Sequence, residues 1–234
     1  MRPHGRVLVV DDDRLFATSV IDYLARDGLL VEAAHTCADA ELRVAEREPF
    51  VSRAGRKLEA ALESFGVDPR GWVCCDAGAS TGGFTDCLLQ RGARRVYAID
   101  VGYGQLDLKL RRDPRVVVME RVNVRHLPAD ALPEPCRLIT VDVSFISLSK
   151  ALPPALGCTA PAWRALVLVK PQFEAGREEV GKGGVVRDPE VHKRVVDEIA
   201  AQAADWGARV EGAADSGLPG PKGNREFFLY LRAA

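Results

Sequence analysis

The folding options of this chain are narrowed most by one stretch, Trp72-Val73-Cys74-Cys75-Asp76-Ala77-Gly78-Ala79-Ser80-Thr81-Gly82-Gly83-Phe84-Thr85-Asp86. Trp72 to Cys75 is an apolar run of strand length, suited to a parallel sheet covered on both faces. Gly78, Gly82 and Gly83 then permit a sharp turn and a close backbone approach that a Cβ would block. Ser80 and Thr81 are candidate caps for a helix whose buried face is read from Phe84, Leu88 and Leu89. Twenty-two residues after Gly78, the run Val96-Tyr97-Ala98-Ile99 ends in Asp100. A nucleotide-binding βαβ unit needs a carboxylate at about that distance, roughly 20 residues, to take ribose hydroxyls.

Turn and acidic strand end together predict a nucleoside site. Ser80 stands where a second glycine would admit a pyrophosphate, so this is not the dinucleotide fingerprint. An adenosine ligand lacking a pyrophosphate fits better, and S-adenosylmethionine is the expected cofactor.

At 234 residues the chain can bury a full core as one large or two small domains. No apolar run approaches the roughly 18 residues of a membrane span, and the start has no signal-peptide core, so a cytoplasmic protein is expected. The six cysteines (37, 74, 75, 87, 136 and 158) form no CxxC pair and sit mostly in apolar surroundings, and the four histidines are scattered. Buried thiols in a reducing compartment are expected, with no metal site. Residues 1–50 carry a net −4 and the remainder +3. The mild excess in the remainder permits a nucleic-acid partner through a local basic patch.

The first fifty residues fit poorly with the rest of the chain. Val7 to Val10 reads as a strand ending in Asp11-Asp12-Asp13, then a helical pattern runs through Phe16, Val20, Ile21 and Leu24. Leu29 to Ala34 reads as a second strand and Ala38 to Glu46 as a second helix. This βαβα pattern over 1–49 resembles the opening of a response-regulator receiver domain, whose acidic cluster holds Mg²⁺. A third strand ending in a phosphate-accepting aspartate does not follow, so a receiver-like fragment without phosphoacceptor chemistry is expected. For Asp12 and Asp13 a solvated acidic loop is favoured over weak cation binding.

Residues 52–66 read as an amphipathic helix capped by Ser52 and stopped by Gly66, with Leu58, Ala61, Leu62 and Phe65 as its stripe. Arg53, Arg56 and Lys57 stand near its start against the helix dipole, where an anionic substrate would want them. Further strands are expected at 116–119, 138–141, 165–169, 209–214 and 226–232, with helices beginning near Leu106 and spanning about 189–206. Asp76, Asp100, Asp142 and Lys170 each follow an apolar strand, and ligands bind at that end of a parallel sheet. Lys170 at a buried strand end needs a partner, and Lys57 nearby would lower the pKa of one lysine toward neutrality. A neutral lysine could take a proton from a hydroxyl nucleophile. Asp142 could orient it, and Glu226 could hold it or the second lysine.

In order along the chain stand Ser52-Arg53-Ala54-Gly55-Arg56-Lys57-Leu58, Asp76 to Asp86, Asp142-Val143-Ser144-Phe145-Ile146-Ser147-Leu148, Val169-Lys170-Pro171-Gln172-Phe173-Glu174, Gly183-Gly184-Val185-Val186-Arg187-Asp188 and Gly223-Asn224-Arg225-Glu226-Phe227. Together they resemble the TlyA (hemolysin A) family of ribosomal RNA 2'-O-ribose methyltransferases, relatives of the FtsJ type. The resemblance spans about 50–234 and implies a Rossmann-like methyltransferase fold, a mainly parallel sheet with helices on both faces. It implies a Lys-Asp-Lys-Glu tetrad at Lys57, Asp142, Lys170 and Glu226, with Lys170 deprotonating the 2'-hydroxyl. It also implies S-adenosylmethionine at Asp76, Gly78, Ser80, Thr81 and Gly82, with Asp100 on the ribose and Asn123 near the adenine. The implied partner is ribosomal RNA or a ribosomal subunit, with no metal and no membrane. Ala54 replaces a common glycine, and the receiver-like fragment stands where family members carry an S4-like RNA-binding domain. An acidic fragment there would repel phosphate. The competing expectation is a signalling or binding protein with a degenerate methyltransferase body. A membrane-lytic role, suggested by the family's older name, finds neither a span nor a strongly amphipathic basic helix.

Overall fold

The computed structural model describes residues 6–26, 30–39, 49–220 and 222–234. It divides into two units, 1–48 and 49–234. In the first, β1 (Arg6–Val10) and β2 (Leu30–Ala34) pair in parallel and α1 (Arg14–Arg26) connects them. Asp13 caps that helix, its Oδ1 accepting from Leu15 N at 2.9 Å and Phe16 N at 3.1 Å, while Asp11 Oδ1 accepts from Asp13 N at 2.8 Å. The acidic run thus starts a helix. The helix expected over Ala38 to Glu46 falls mostly outside the described residues.

In the second unit, α2 (Ala54–Ser64) precedes β3 (Val73–Ala77), α3 (Gly83–Gln90), β4 (Arg95–Asp100), α4 (Leu108–Arg111) and β5 (Val116–Glu120). There follow β6 (Cys136–Val141), α5 (Leu148–Leu156), β7 (Thr159–Val169), α6 (Pro171–Glu174), α7 (Pro189–Ala201), β8 (Ala208–Asp215) and β9 (Phe227–Ala233). The seven strands lie in the order β5-β4-β3-β6-β7-β9-β8, all parallel except that β9 runs antiparallel to β7 and β8. The apolar runs are continuous because both faces are covered. On β7, Ala165, Val167 and Val169 enter the core beneath α5 and α7, while Leu166 and Leu168 enter the core beneath α2 and α3. Chain order reverses between β3 and β6, and in open sheets of this kind ligands bind beyond the strand ends at such a switch point.

Four local expectations change. Ser52 does not cap α2, whose N-cap is Arg53 without a side-chain bond; a Cβ on Gly83 would lie 2.3 Å from Ser52 Oγ, so Ser52 packs under the glycine turn instead. Neither Ser80 nor Thr81 caps α3, because Gly82 (φ 98) takes that position and its left-handed backbone carries the chain into the helix. The long helix ends at Ala201 and continues as a 3₁₀ segment Gln202–Trp206. β7 begins at Thr159, six residues earlier than expected; its first part pairs with β6 only, across an irregular register that tolerates Pro161.

Candidate active site

The site begins with the turn after β3. Gly78 N and Ala79 N donate to Ile99 O at 2.8 and 3.0 Å, tying the turn to β4. Gly78 has φ 91, and a Cβ there would lie 2.3 Å from Asp142 O. No other residue fits at this contact, which presses the glycine turn onto the end of β6. Asp142 N returns a bond to Ala77 O at 2.9 Å.

Asp100 closes the other side. Its Oδ2 accepts from Ser80 N at 2.8 Å and its Oδ1 from Gly102 N at 2.6 Å. Ser80 and Thr81 are exposed at the tip of the turn, and Ser80 holds a left-handed φ of 49. Asn123 is exposed one residue beyond Val122, whose N donates to Asp100 O at 3.0 Å. Gly78, Ser80, Thr81, Asp100 and Asn123 therefore lie together beyond the ends of β3, β4 and β5, the side of the sheet where ligands bind in this kind of fold.

Asp76 departs from the expectation of cofactor contact. It is wholly buried, with Thr85 Oγ1 donating to Oδ2 at 2.7 Å and Thr140 Oγ1 to Oδ1 at 3.2 Å. It fastens α3 and β6 beneath the turn and does not reach the surface. Burial pushes its carboxyl up to about 7, against the pull of the threonine hydroxyls. The folded state thus holds this proton more tightly than the unfolded chain, so the stabilisation is complete below about pH 4 and is lost as pH rises toward 7. Asp76→Asn keeps both threonine bonds satisfiable, because Thr140 can turn its proton to Cys75 O at 3.4 Å and accept from the new amide. Relative to this variant, the wild type is expected to lose roughly 2–3 kcal/mol between about pH 5 and about pH 8, read by urea unfolding.

The four polar residues of the implied tetrad come together as two ion pairs. Lys57, pointing inward from α2, meets Glu226 just before β9 at 2.6 Å, with side chains 7% and 2% exposed. Lys170, at the end of β7, pairs with Asp142 and donates to Ser144 Oγ at 3.1 Å. Sequence reasoning left Glu226 free to hold either lysine, and the fold gives it to Lys57. Each ammonium has its own carboxylate. Arg53 and Arg56 stay exposed while Lys57 turns inward.

Two residues had no separate role in the sequence reading. Gln172 donates to Glu226 Oε1 at 3.4 Å. Phe145 is 90% exposed on the loop after β6, its ring 5.0 Å from that of Phe173. Its φ of 65 is rare for a bulky residue. The strain is held from both ends, by Asp142 against Gly78 and by Glu174, whose carboxylate accepts from Ser147 Oγ at 2.6 Å and Leu148 N at 2.8 Å. The three non-glycine residues with positive φ among those described, Ser80, Arg121 and Phe145, follow β3, β5 and β6 on the same sheet edge. Strain concentrated at one edge points to use of that edge.

Among the described residues no His, Cys, Asp and Glu cluster suits a metal ion, and no helix is long and apolar enough to cross a membrane. The model of the FtsJ-like methyltransferase family matches residues 50–233. The chain is 51% identical over 183 residues to 16S/23S rRNA (cytidine-2'-O)-methyltransferase TlyA of Mycobacterium tuberculosis, spanning 78% of this chain and 68% of that protein. It is 40% identical over 200 residues to Hemolysin A of Brachyspira hyodysenteriae, covering 85% and 83% of the two chains. A solved Lactococcus lactis structure that carries the hemolysin name superposes with TM-score 0.77 at 45% identity, over 80% of this chain and 90% of that one. The fold is also that of magnesium protoporphyrin IX methyltransferase from Synechocystis, solved with bound SAH, at TM-score 0.53 and 15% identity over 94% and 96% of the two chains. The sheet, the switch-point turn and a family match running through both agree: this chain belongs to the FtsJ-like methyltransferase family.

Proposed function

We propose that the chain transfers a methyl group from S-adenosylmethionine to a ribose 2'-hydroxyl of ribosomal RNA. One observation carries the reading. The Lys170–Asp142 pair stands beside the Gly78 turn at the switch point, where a base and a methyl donor must meet. The name of the M. tuberculosis relative supports the choice of ribose oxygen and of ribosomal RNA.

The donor set suits the cofactor. The turn from Gly78 to Gly82 with Ser80 and Thr81 would hold its amino-acid end, Asp100 its ribose hydroxyls and Asn123 its adenine, while Asp76 fixes the turn from below. The cofactor, when bound, supplies a methyl on a sulfonium that leaves readily, so the chain need only align the acceptor and ease off its proton. Lys170 is the group that takes this proton. Asp142 and Ser144 fix the position of its Nζ, so that a ribose hydroxyl entering the crevice meets a directed nitrogen, which must have given up its own proton before it can take the hydroxyl's. Lys57 and Glu226, nearly water-free, neutralise each other and hold the crevice wall. Phe145 offers a bare aromatic face at the mouth, suited to stacking an unpaired base. Phe145→Ala is expected to raise KM for RNA about tenfold and leave cofactor affinity unchanged, since one stacked base contributes about 1–3 kcal/mol.

The first unit is read as a receiver-like fragment over residues 1–49, separate from a catalytic domain over 50–234. Its acidic balance gives it no part in holding RNA.

The deciding experiment offers labelled S-adenosylmethionine with isolated ribosomal subunits or naked ribosomal RNA, followed by alkaline hydrolysis. A 2'-O-methyl blocks cleavage at its own linkage, so label in alkali-resistant dinucleotides is the expected result. Label on alkali-sensitive mononucleotides would mean a base is the acceptor and would overturn the reading.

A further inference from the structure

Two loops meet beside Glu226 and carry cations that the methyl-transfer residues do not use. In the first, Val180 to Arg187, Gly181 N and Val185 O bond at 3.1 Å around Gly183 and Gly184, both at positive φ. The second runs from Ser216 to Arg225 and is closed by Gly220 N on Asn224 O at 2.8 Å. Asn224 locks the two together, its Oδ1 accepting from Val186 N at 3.0 Å and its Nδ2 donating to Gly184 O at 2.9 Å. His192 completes the lock through Nε2 on Val186 O at 2.9 Å. Asn224 and His192 are 3% and 4% exposed, and buried polar groups of this kind are costly unless they are bonded to a fixed partner. The shape of the glycine turn is therefore set.

On that frame Lys182, Arg187 and Lys222 are all exposed. A Cβ on Gly184 would lie 3.6 Å from Lys222 Nζ, and one on Gly181 would lie 3.5 Å from an Arg187 guanidinium nitrogen. Both cations thus lie over the glycine surface. Among the described residues none of the three has a carboxylate partner, and three acidic groups of the adjoining segments are engaged elsewhere: Glu179 with Arg194, Asp215 with Arg225, and Asp188 in capping α7. A Cβ on Gly220 would lie 2.4 Å from Glu226 Oε1, so the second loop leads directly to the Lys57–Glu226 pair. Unpaired cations repel one another and do nothing for the fold, and a turn without Cβ atoms leaves room for a backbone to approach.

We propose that Lys182, Arg187 and Lys222 clamp phosphates of the RNA strand whose ribose reaches Lys170. The clamp rests on the ribosomal RNA reading above, and names the surface that holds the strand. Contacts of this kind carry no sequence information but fix register, and each one lost flattens the salt dependence of binding.

The test measures binding of labelled polycytidylate to the full chain over a salt series, for the wild type and for Lys182→Ala/Arg187→Ala/Lys222→Ala. Polycytidylate needs no ribosomal target, so this measurement stands apart from the methyl-transfer assay. The expected result is a log–log slope shallower by about two and an affinity at least about tenfold weaker at low salt, with cofactor affinity unchanged. Lys182→Arg/Lys222→Arg keeps the charge and is expected to keep the slope. An unchanged slope in the triple variant overturns the clamp even if the wild type methylates RNA. A wild type that fails to methylate but loses salt-dependent binding in the variant keeps the clamp and removes the ribosomal reading. Displacement of polycytidylate by polyglutamate as readily as by unlabelled RNA would also overturn the clamp, since any polyanion would then serve.

Discussion

Lys170→Ala is expected to lower single-turnover methyl transfer by about 10²–10⁴-fold, while calorimetric titration finds cofactor affinity unchanged. The split follows from position. Lys170 ends β7 and pairs with Asp142 at the end of the neighbouring β6, whereas the proposed cofactor residues lie on the turn after β3 and beyond the ends of β4 and β5. Lys170→Arg separates the two roles a lysine could play there. Arginine keeps the positive charge but cannot give up a proton near neutral pH, so it should fail about as badly as alanine. Activity retained by the arginine variant would mean that charge, and not proton removal, is what Lys170 supplies.

Lys57→Ala is expected to destabilise the second unit by about 3–5 kcal/mol in urea unfolding, because it leaves Glu226 charged, 2% exposed and without its cation. The amide of Gln172 at 3.4 Å is too weak a neighbour to replace an ammonium at 2.6 Å. Lys57→Met/Glu226→Leu removes both charges and fills the space with apolar atoms, so stability should return to within about 1–2 kcal/mol of the wild type. Methyl transfer should not return with it. A double variant that is both stable and active would show that the pair serves the fold alone.

Much of this architecture is readable from residue order, for a physical reason. Strands buried on both faces must be apolar throughout, so a polar residue closing such a run, as in Asp100, Asp142 and Lys170, marks the sheet edge where ligands bind. The pairing of those residues is not readable in the same way. Lys57 and Glu226 are 169 positions apart, and only the insertion of β9 between β7 and β8 brings them together. Asp76 looks the same as Asp100 in sequence, each ending an apolar run. Thr85, across the glycine turn, and Thr140, 64 positions away on β6, draw the first into the core. The left-handed φ of Phe145 is set by Gly78 and Glu174 pressing on the two ends of its loop, which no local propensity records. The early start of β7 was hidden by Pro161, a residue that argues against a strand unless the strand lies at an unpaired margin.

The place of β9 has a consequence for how the protein is made. It is the last of the nine described strands to emerge during synthesis, yet it lies inside the sheet, hydrogen-bonded on both sides. Until Phe227–Ala233 clear the ribosome, β7 presents an open flank and Lys57 has no counter-charge. Long-range closure of this kind is slow relative to local pairing and leaves a partly built sheet exposed. A nascent or prematurely terminated chain can thus hold all the proposed cofactor residues and still be catalytically silent. Activity toward RNA begins only once β9 has slotted into the sheet.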